Sequence, residues 1–185
     1  MSGKLIHVSG PSGSGKDSLL RYAREQLSGH AAICFAHRYI TRAADAGGEN
    51  HVALSPEEFA ARSGSDLFAL NWASNGLQYG IGAEIDHWLD KGLTVVMNGS
   101  REYLPQARAR YPYLVPVEIA VPQAVLRERL LARGRETVEQ VEQRLQRNDL
   151  LAQLSGKAEI IRHDGDLEQA GEALVSLILR CAEQT

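Results

Sequence analysis

One stretch decides most of what this chain can fold into. Residues 10–16 read Gly-Pro-Ser-Gly-Ser-Gly-Lys, which satisfies G-x-x-x-x-G-K. The apolar run KLIHVSG (4–10) before it suits a buried strand feeding a tight turn. From Lys16 onward Leu19, Leu20, Ala23 and Leu27 fall on one helical face. Strand, glycine loop and helix in that order are the context in which such a loop binds phosphate. The glycines let backbone N–H groups turn inward around phosphate oxygens, and the helix adds its positive end. Gly10, Pro11, Ser12, Gly13, Ser14, Gly15 and Lys16 are therefore expected to hold a nucleoside triphosphate, with Lys16 as a point charge on its terminal phosphates. A carboxylate, Asp17, follows the lysine where a hydroxyl is expected, and Ser18 supplies a hydroxyl one place later. Beside a triphosphate, Asp17 makes electrostatic sense with a magnesium ion between them. The plain alternative is a first-turn helix acid pointing away from the phosphates.

Later segments repeat the alternation. LTVVMNG (93–99), VPVEIAV (115–121) and AEIIRHD (158–164) read as buried strands. Helices are expected over 101–111, interrupted early by Pro105, over about 123–132, and in a closing amphipathic segment marked by Leu167, Gly171, Leu174, Ile178 and Cys181. Alternating strands and helices imply an α/β fold with a parallel sheet covered by helices on both faces. Residues 36–85 break the rhythm with polar and glycine clusters, one short helix near 56–63, and the strand-like pieces LFALNW and LQYGIG, followed by a helix over about 83–91. They read as an inserted, substrate-facing subdomain.

Bulk properties narrow the partners. The 185 residues suit one domain, and a net charge of −3 supplies no field for nucleic acid or an acidic membrane. Arginine outnumbers lysine sixteen to four, which suits bidentate phosphate contacts as well as a GC-rich genome. Cys34 and Cys181 are too few and too far apart for a disulfide framework or zinc site. No signal segment precedes the loop and no apolar run approaches ~20 residues, so a soluble, cytoplasmic protein is expected.

The insertion and the segments C-terminal to it resemble the guanylate kinase family. ITR (40–42), HVALSPEEF (51–59) and LNWASNGLQYGIG (70–82) are similar to its acceptor-binding segments, and LLARGRETVEQVEQRLQR (130–147) to its lid. The resemblance implies a P-loop nucleoside monophosphate kinase-like fold. It would have a core of 1–35 and 86–185, an acceptor-binding insertion at about 36–85 and an arginine-bearing lid at about 132–147. It implies ATP as co-substrate, with Lys16, Arg133, Arg135, Arg144 and Arg147 drawing charge from the donor. It also implies that Arg42 and Tyr79 hold the acceptor's phosphate; Arg38, an arginine extra to that family's pattern, and the Tyr39 hydroxyl are expected to join them, with Arg144 and Arg147 also facing the acceptor. Asn98, Gly99 and Ser100, where a parallel strand ends, are expected to touch it.

Departures from that family matter more than the matches. Its guanine-reading glutamate falls on Asn71, the aspartate closing its central strand on Asn98, and a second phosphate-binding arginine on Asp45. Guanine donors left unpaired cost about 1–3 kcal/mol each, so base recognition is dismantled while the phosphate apparatus remains. GPSGSGKDSLL, AHRYITR, GENHVALS, YGIGAEID, MNGSR and LPQARARY together resemble the narrower family of ribose 1,5-bisphosphate phosphokinases of bacterial phosphonate breakdown. That resemblance implies transfer of phosphate from ATP to a phosphorylated ribose. His163 stands where relatives tend to have Asn, and Asp164 falls near the expected adenine contact. A nucleoside monophosphate kinase and a catalytically silent binding module of the same shape stand as alternatives. Such modules usually lose the loop lysine or the lid arginines, both kept here. The carboxylate lost at position 98 is read as regained at Asp17, the expected magnesium ligand.

Overall fold

A computed structural model describes residues 3–46, 48–134, 136–152 and 156–184, so the role expected of Arg135 lies outside the described residues. Five strands form a parallel sheet: β1 (Leu5–Ser9), β2 (Ile33–Phe35), β7 (Thr94–Asn98), β8 (Val115–Ala120) and β9 (Glu159–Arg162), in the order β2-β7-β1-β8-β9. Every residue of β1 and β7 is buried, as strands covered on both faces require. On one face Ile6 and Val8 pack with Leu19 of α1 (Lys16–Gln26) and with Leu174 and Ile178 of α7 (Leu167–Glu183). On the other, Leu5, Val95 and Met97 meet Ile85 of α3 (Glu84–Asp90) and Leu104 of α4 (Leu104–Arg110). Each such fully buried side chain contributes about 1.5–3 kcal/mol.

A second sheet, β4-β3-β6-β5, is drawn wholly from residues 38–82. It comprises β3 (Arg38–Ile40), β4 (Val52–Ala53), β5 (Phe68–Ser74) and β6 (Leu77–Gly82). The β5–β6 hairpin turns at Asn75-Gly76, both with positive φ (49° and 73°), the turn chemistry that matches strand twist. The short α2 (Pro56–Gly64) starts at Ser55, whose Oγ accepts from Glu58 N at 3.1 Å. Ala69, Leu70 and Ile81 anchor this sheet in the core beneath α3. Two further helices, α5 (Gln123–Ala132) and α6 (Val138–Ala152), share a separate apolar seam of Leu126, Leu130, Val141 and Leu145.

The strands β2, β3 and β4 escape the sequence reading, because segments of two or three residues carry no periodicity. Pro105 does not interrupt a helix begun at 101. It sits in the first turn of α4, where its missing N–H needs no partner. The helix α6 also runs past 147, the expected end of the lid. Among the described residues no helix is long and apolar enough to cross a membrane.

Candidate active site

The phosphate loop lies where β1 ends, at the carboxyl edge of the parallel sheet, the crevice in which such sheets bind ligands. Gly13 and Gly15 adopt φ of +90° and +79°, open to glycine at little cost. Gly15 is required twice over, since a Cβ there would fall 2.4 Å from Cε1 of His163. That imidazole, buried at the end of β9, donates from Nδ1 to Ser14 O at 2.6 Å and braces the loop from below. A cleft of about 460 Å³ opens over the loop, lined by all of Gly10 to Ser18 and by Arg38, Tyr79, Gly99, Ser100, Arg133, Arg144 and Arg147. Of the sequence-expected cations, Lys16, Arg38, Arg133, Arg144 and Arg147 thus reach one cavity from the loop, the second sheet and α5–α6.

Lys16 Nζ donates to Asn98 Oδ1, and lies 3.3 Å from Asp17 Oδ1. Burial pulls the Lys16 ammonium below its ordinary pKa, against the opposing pull of Asp17. Burial by itself would raise the Asp17 carboxyl. Lys16, Arg38 and hydrogen bonds from Lys16 and Asn98 outweigh it and hold that carboxyl below its usual range. Asn98 Nδ2 donates to Asp17 Oδ1 at 3.0 Å and to Glu49 Oε2 at 3.1 Å. Only the amide orientation with Oδ1 toward the lysine and Nδ2 toward both carboxylates satisfies all three partners. An aspartate at 98 would face two other carboxylates, which is a physical reason for an amide there.

On the second-sheet side, Arg38 donates from Nε to Glu49 Oε2 at 2.8 Å and from Nη2 to Glu49 Oε1, while its guanidinium carbon lies 4.9 Å from the centre of the Tyr79 ring. Tyr79 stacks on Trp72, and Trp72 on Tyr103 (5.6 and 5.4 Å between centroids). Trp72 also lines the cleft. Arg42 is not on the cleft wall. Its Nη2 lies 3.3 Å from His51 Nδ1 and 3.8 Å from Glu49 Oε1. Tyr39 does not join Arg38 and Tyr79. Consecutive strand residues point to opposite faces, so its ring meets Phe68 at 5.6 Å and its hydroxyl lies 3.5 Å from Glu84 Oε1.

Other expectations part from the structure as well. Asp164 is exposed and away from the cleft lining, because the strand end turns His163 rather than its neighbour toward the loop. Asn71 is exposed on β5, and Asp45 lies in an exposed turn. Asp86 accepts from Tyr111 Oη at 2.6 Å and pairs with Arg110 at 2.9 Å beside a different cavity. Both Glu84 and Asp86 stand in the first turn of α3.

On α6, Arg144 donates to Ser12 Oγ at 3.0 Å and pairs with Glu136 at 2.6 Å, while Arg147 pairs with Glu102. Two residues escaped sequence reasoning. Glu49 is the shared anion of Arg38, Arg42 and Asn98; its only local signal is a lone acid inside GENH (48–51). Arg101 is buried between Glu118 (3.8 Å) and Asn148 (2.7 Å), and its partners lie far away in sequence.

The donor set at Asp17 fits a magnesium ion. Oδ1 is taken by Lys16 and Asn98, Oδ2 accepts no hydrogen bond among the described residues, and Ser18 also lines the cleft. Among the described residues no cluster of three His, Cys, Asp or Glu side chains suits a metal. Further ligands would come from phosphate oxygens and water, as magnesium ordinarily takes them.

Phosphate loop, parallel sheet, second sheet and the α5–α6 pair together define a phosphate-loop kinase of the guanylate kinase fold. The structure aligns with guanylate kinase from Anaplasma phagocytophilum at a TM-score of 0.68, over 97% of this chain and 86% of that one, at 17% identity. A gluconokinase from Sinorhizobium meliloti 1021 aligns at 0.51 over 99% and 95%, at 19% identity. No family model matches the chain. In sequence it is 56% identical to ribose 1,5-bisphosphate phosphokinase PhnN of Thiobacillus denitrificans, over 95% of this chain and 93% of the relative. It is 55% identical to the protein of that name from Desulfomicrobium baculatum, over 95% and 94%. The chain belongs to the ribose 1,5-bisphosphate phosphokinase family.

Proposed function

We propose that this protein transfers the γ-phosphoryl group of ATP to the 1-phosphate of ribose 1,5-bisphosphate, giving ADP and 5-phosphoribosyl 1-diphosphate. The observation that carries this reading is identity above one half, over nearly the whole chain, with relatives named for that acceptor. The cleft agrees with it: the loop lysine, the lid arginines and Arg38 line one cavity, and the residue that accepts from the loop lysine, Asn98, is an amide. In this reading residues 36–85 are the acceptor-binding insertion and about 132–147 the lid, on a core of 1–35 and 86–185. The protein works in the cytoplasm on a small phosphorylated sugar, without nucleic acid or membrane.

The chemistry asks little of a base. A phosphate monoester is largely dianionic near neutral pH, its second pKa being about 6. A 1-phosphate oxygen attacks the γ-phosphorus in line, the bond to the β–γ bridging oxygen breaks, and that oxygen leaves on ADP. Catalysis then consists of aligning two anions and neutralising charge on the transferred group. Lys16 leaves Asn98 for the terminal phosphates of ATP, a short swing for a side chain already lining the cleft. Arg133, Arg144 and Arg147 close from the lid, with Arg144 already on Ser12 of the loop. Magnesium, held through Asp17 Oδ2 and water, would supply further neutralisation of the phosphates. Arg38, with Arg42 behind it and Tyr79 across its face, holds the acceptor.

Incubating the protein with ATP and either ribose 1,5-bisphosphate or GMP, with phosphorus NMR of the products, tests this reading. A new diphosphate on C1 of the sugar is expected. Robust GMP turnover with none of the sugar would refute it.

A further inference from the structure

Glu49 is a carboxylate that phosphoryl transfer gives no task. Its side chain is only 12% exposed, and it lines not the cleft but a smaller cavity of about 90 Å³ that shares Asp17, Arg21 and Gly48 with the cleft wall. An anion near the binding place of a bisphosphate is repulsive unless it acts on the cations that bind it. Glu49 does so through both oxygens: Arg38 Nε reaches Oε2 at 2.8 Å, Arg38 Nη2 reaches Oε1, and Arg42 Nη2 lies 3.8 Å from that same Oε1. The carboxylate is fixed in turn by Asn98 Nδ2 at 3.1 Å.

This leaves the Arg38 guanidinium with one position and one free edge. Tyr79 covers a face and Glu49 takes the Nε–Nη2 edge. The Nη1 hydrogens and the second Nη2 hydrogen have no partner among the described residues, and Arg38 itself lines the cleft. We propose that Glu49 is a positioning residue of the acceptor site: it gathers Arg38 and Arg42 on one carboxylate and turns the outer edge of Arg38 toward the acceptor's phosphate. Because Glu49 stands behind Arg38 instead of lining the cleft, acceptor phosphate binds Arg38 without displacing it. Without the carboxylate, two guanidiniums sharing its oxygen repel each other and lose their common direction. The inference rests on reading the Arg38 side of the cleft as the acceptor's phosphate site.

The test compares wild type with Glu49→Gln, which keeps shape and removes charge, and with Glu49→Ala. Binding of ribose 1,5-bisphosphate is measured by calorimetry without ATP, and KM for each substrate and melting temperature alongside. Acceptor affinity is expected to weaken about tenfold in Glu49→Gln and more in Glu49→Ala, the size of one lost charge-assisted hydrogen bond. KM for the acceptor should rise in step, and KM for ATP should stay within about twofold, the limit set for a change that leaves donor binding alone. Unchanged or tighter acceptor binding overturns the inference, and so does an equal rise in KM for ATP. Wild type that binds the acceptor without phosphorylating it would defeat the proposed reaction, while the affinity ratio still decides Glu49. Wild type that does not bind the sugar at all defeats both.

Discussion

Replacing Arg101 is the most severe single test of how this cleft is braced. Its guanidinium is buried, donates from Nη2 to Asn148 Oδ1 at 2.7 Å and from Nη1 to Asn148 O at 3.3 Å, and lies 3.8 Å from Glu118 Oε1. It thereby joins the segment after β7 to β8 and to α6. Burial lowers the Arg101 pKa, against the pull of Glu118 and Glu102. The side chains of Arg101 and Glu118 are 6% and 11% exposed, so neither charge is well served by water. Unit charges at that spacing attract by roughly 4 kcal/mol at an effective dielectric of 20. Arg101→Met strands Glu118 as a buried charge without a cation, a change that costs about 3–5 kcal/mol. At about 2–4 °C per kcal/mol for a chain of this size, melting should fall by about 6–20 °C. Glu118→Leu strands Arg101 and should also destabilise, by less, since Asn148 still accepts from it. The double variant Arg101→Met with Glu118→Leu holds no buried charge, and should lie within about 2 kcal/mol of wild type. Urea denaturation followed by circular dichroism reads all four proteins. A double variant whose loss equals the sum of the two singles would refute the assignment of Arg101 and Glu118 as a coupled buried pair.

His7 makes stability depend on pH. Its ring is fully buried on β1, beneath Gly99, where a Cβ would fall 2.1 Å from Nε2, and neither ring nitrogen has a hydrogen-bond partner among the described residues. Burial lowers its pKa from 6.5 to about 4. The unfolded chain therefore binds the proton first, and stability is lost as pH falls from about 6.5 toward about 4, by on the order of 3 kcal/mol. His7→Leu should flatten that part of the urea-midpoint profile; an unchanged slope would remove His7 as its source. Asp17→Asn should weaken the magnesium dependence and lower turnover more than ATP binding. Identical magnesium titrations for the two proteins would return Asp17 to the status of a first-turn helix acid.

The phosphate loop, the helix after it and the main strands of the parallel sheet were legible in the sequence because each rests on a local rule. Glycines at positions of positive φ, an apolar stripe at helical spacing and short continuous apolar runs all act within about a dozen residues. The resemblance to guanylate kinases then pointed to Tyr79, Arg133, Arg144 and Arg147, with Arg38 standing out as an arginine extra to that pattern, and the structure brings these into one cleft. What tertiary structure alone decided is which groups face each other. Tyr39 and Arg38 are neighbours in sequence, but strand alternation sends them to opposite faces of the second sheet, and β6 pairing places Tyr79 with Arg38. Asn98, read as a sugar contact, instead joins Lys16, Asp17 and Glu49, residues brought to it from the loop after β1 and from the segment between β3 and β4. Glu49 and Arg101 carry no local signature, since a carboxylate or guanidinium acquires its role from partners 7 to 49 positions away. Sequence determined that phosphate would be bound and by which kinds of side chain. Burial decided which charges are neutralised, because only a low-dielectric interior makes an unpaired charge costly enough to fix its partner.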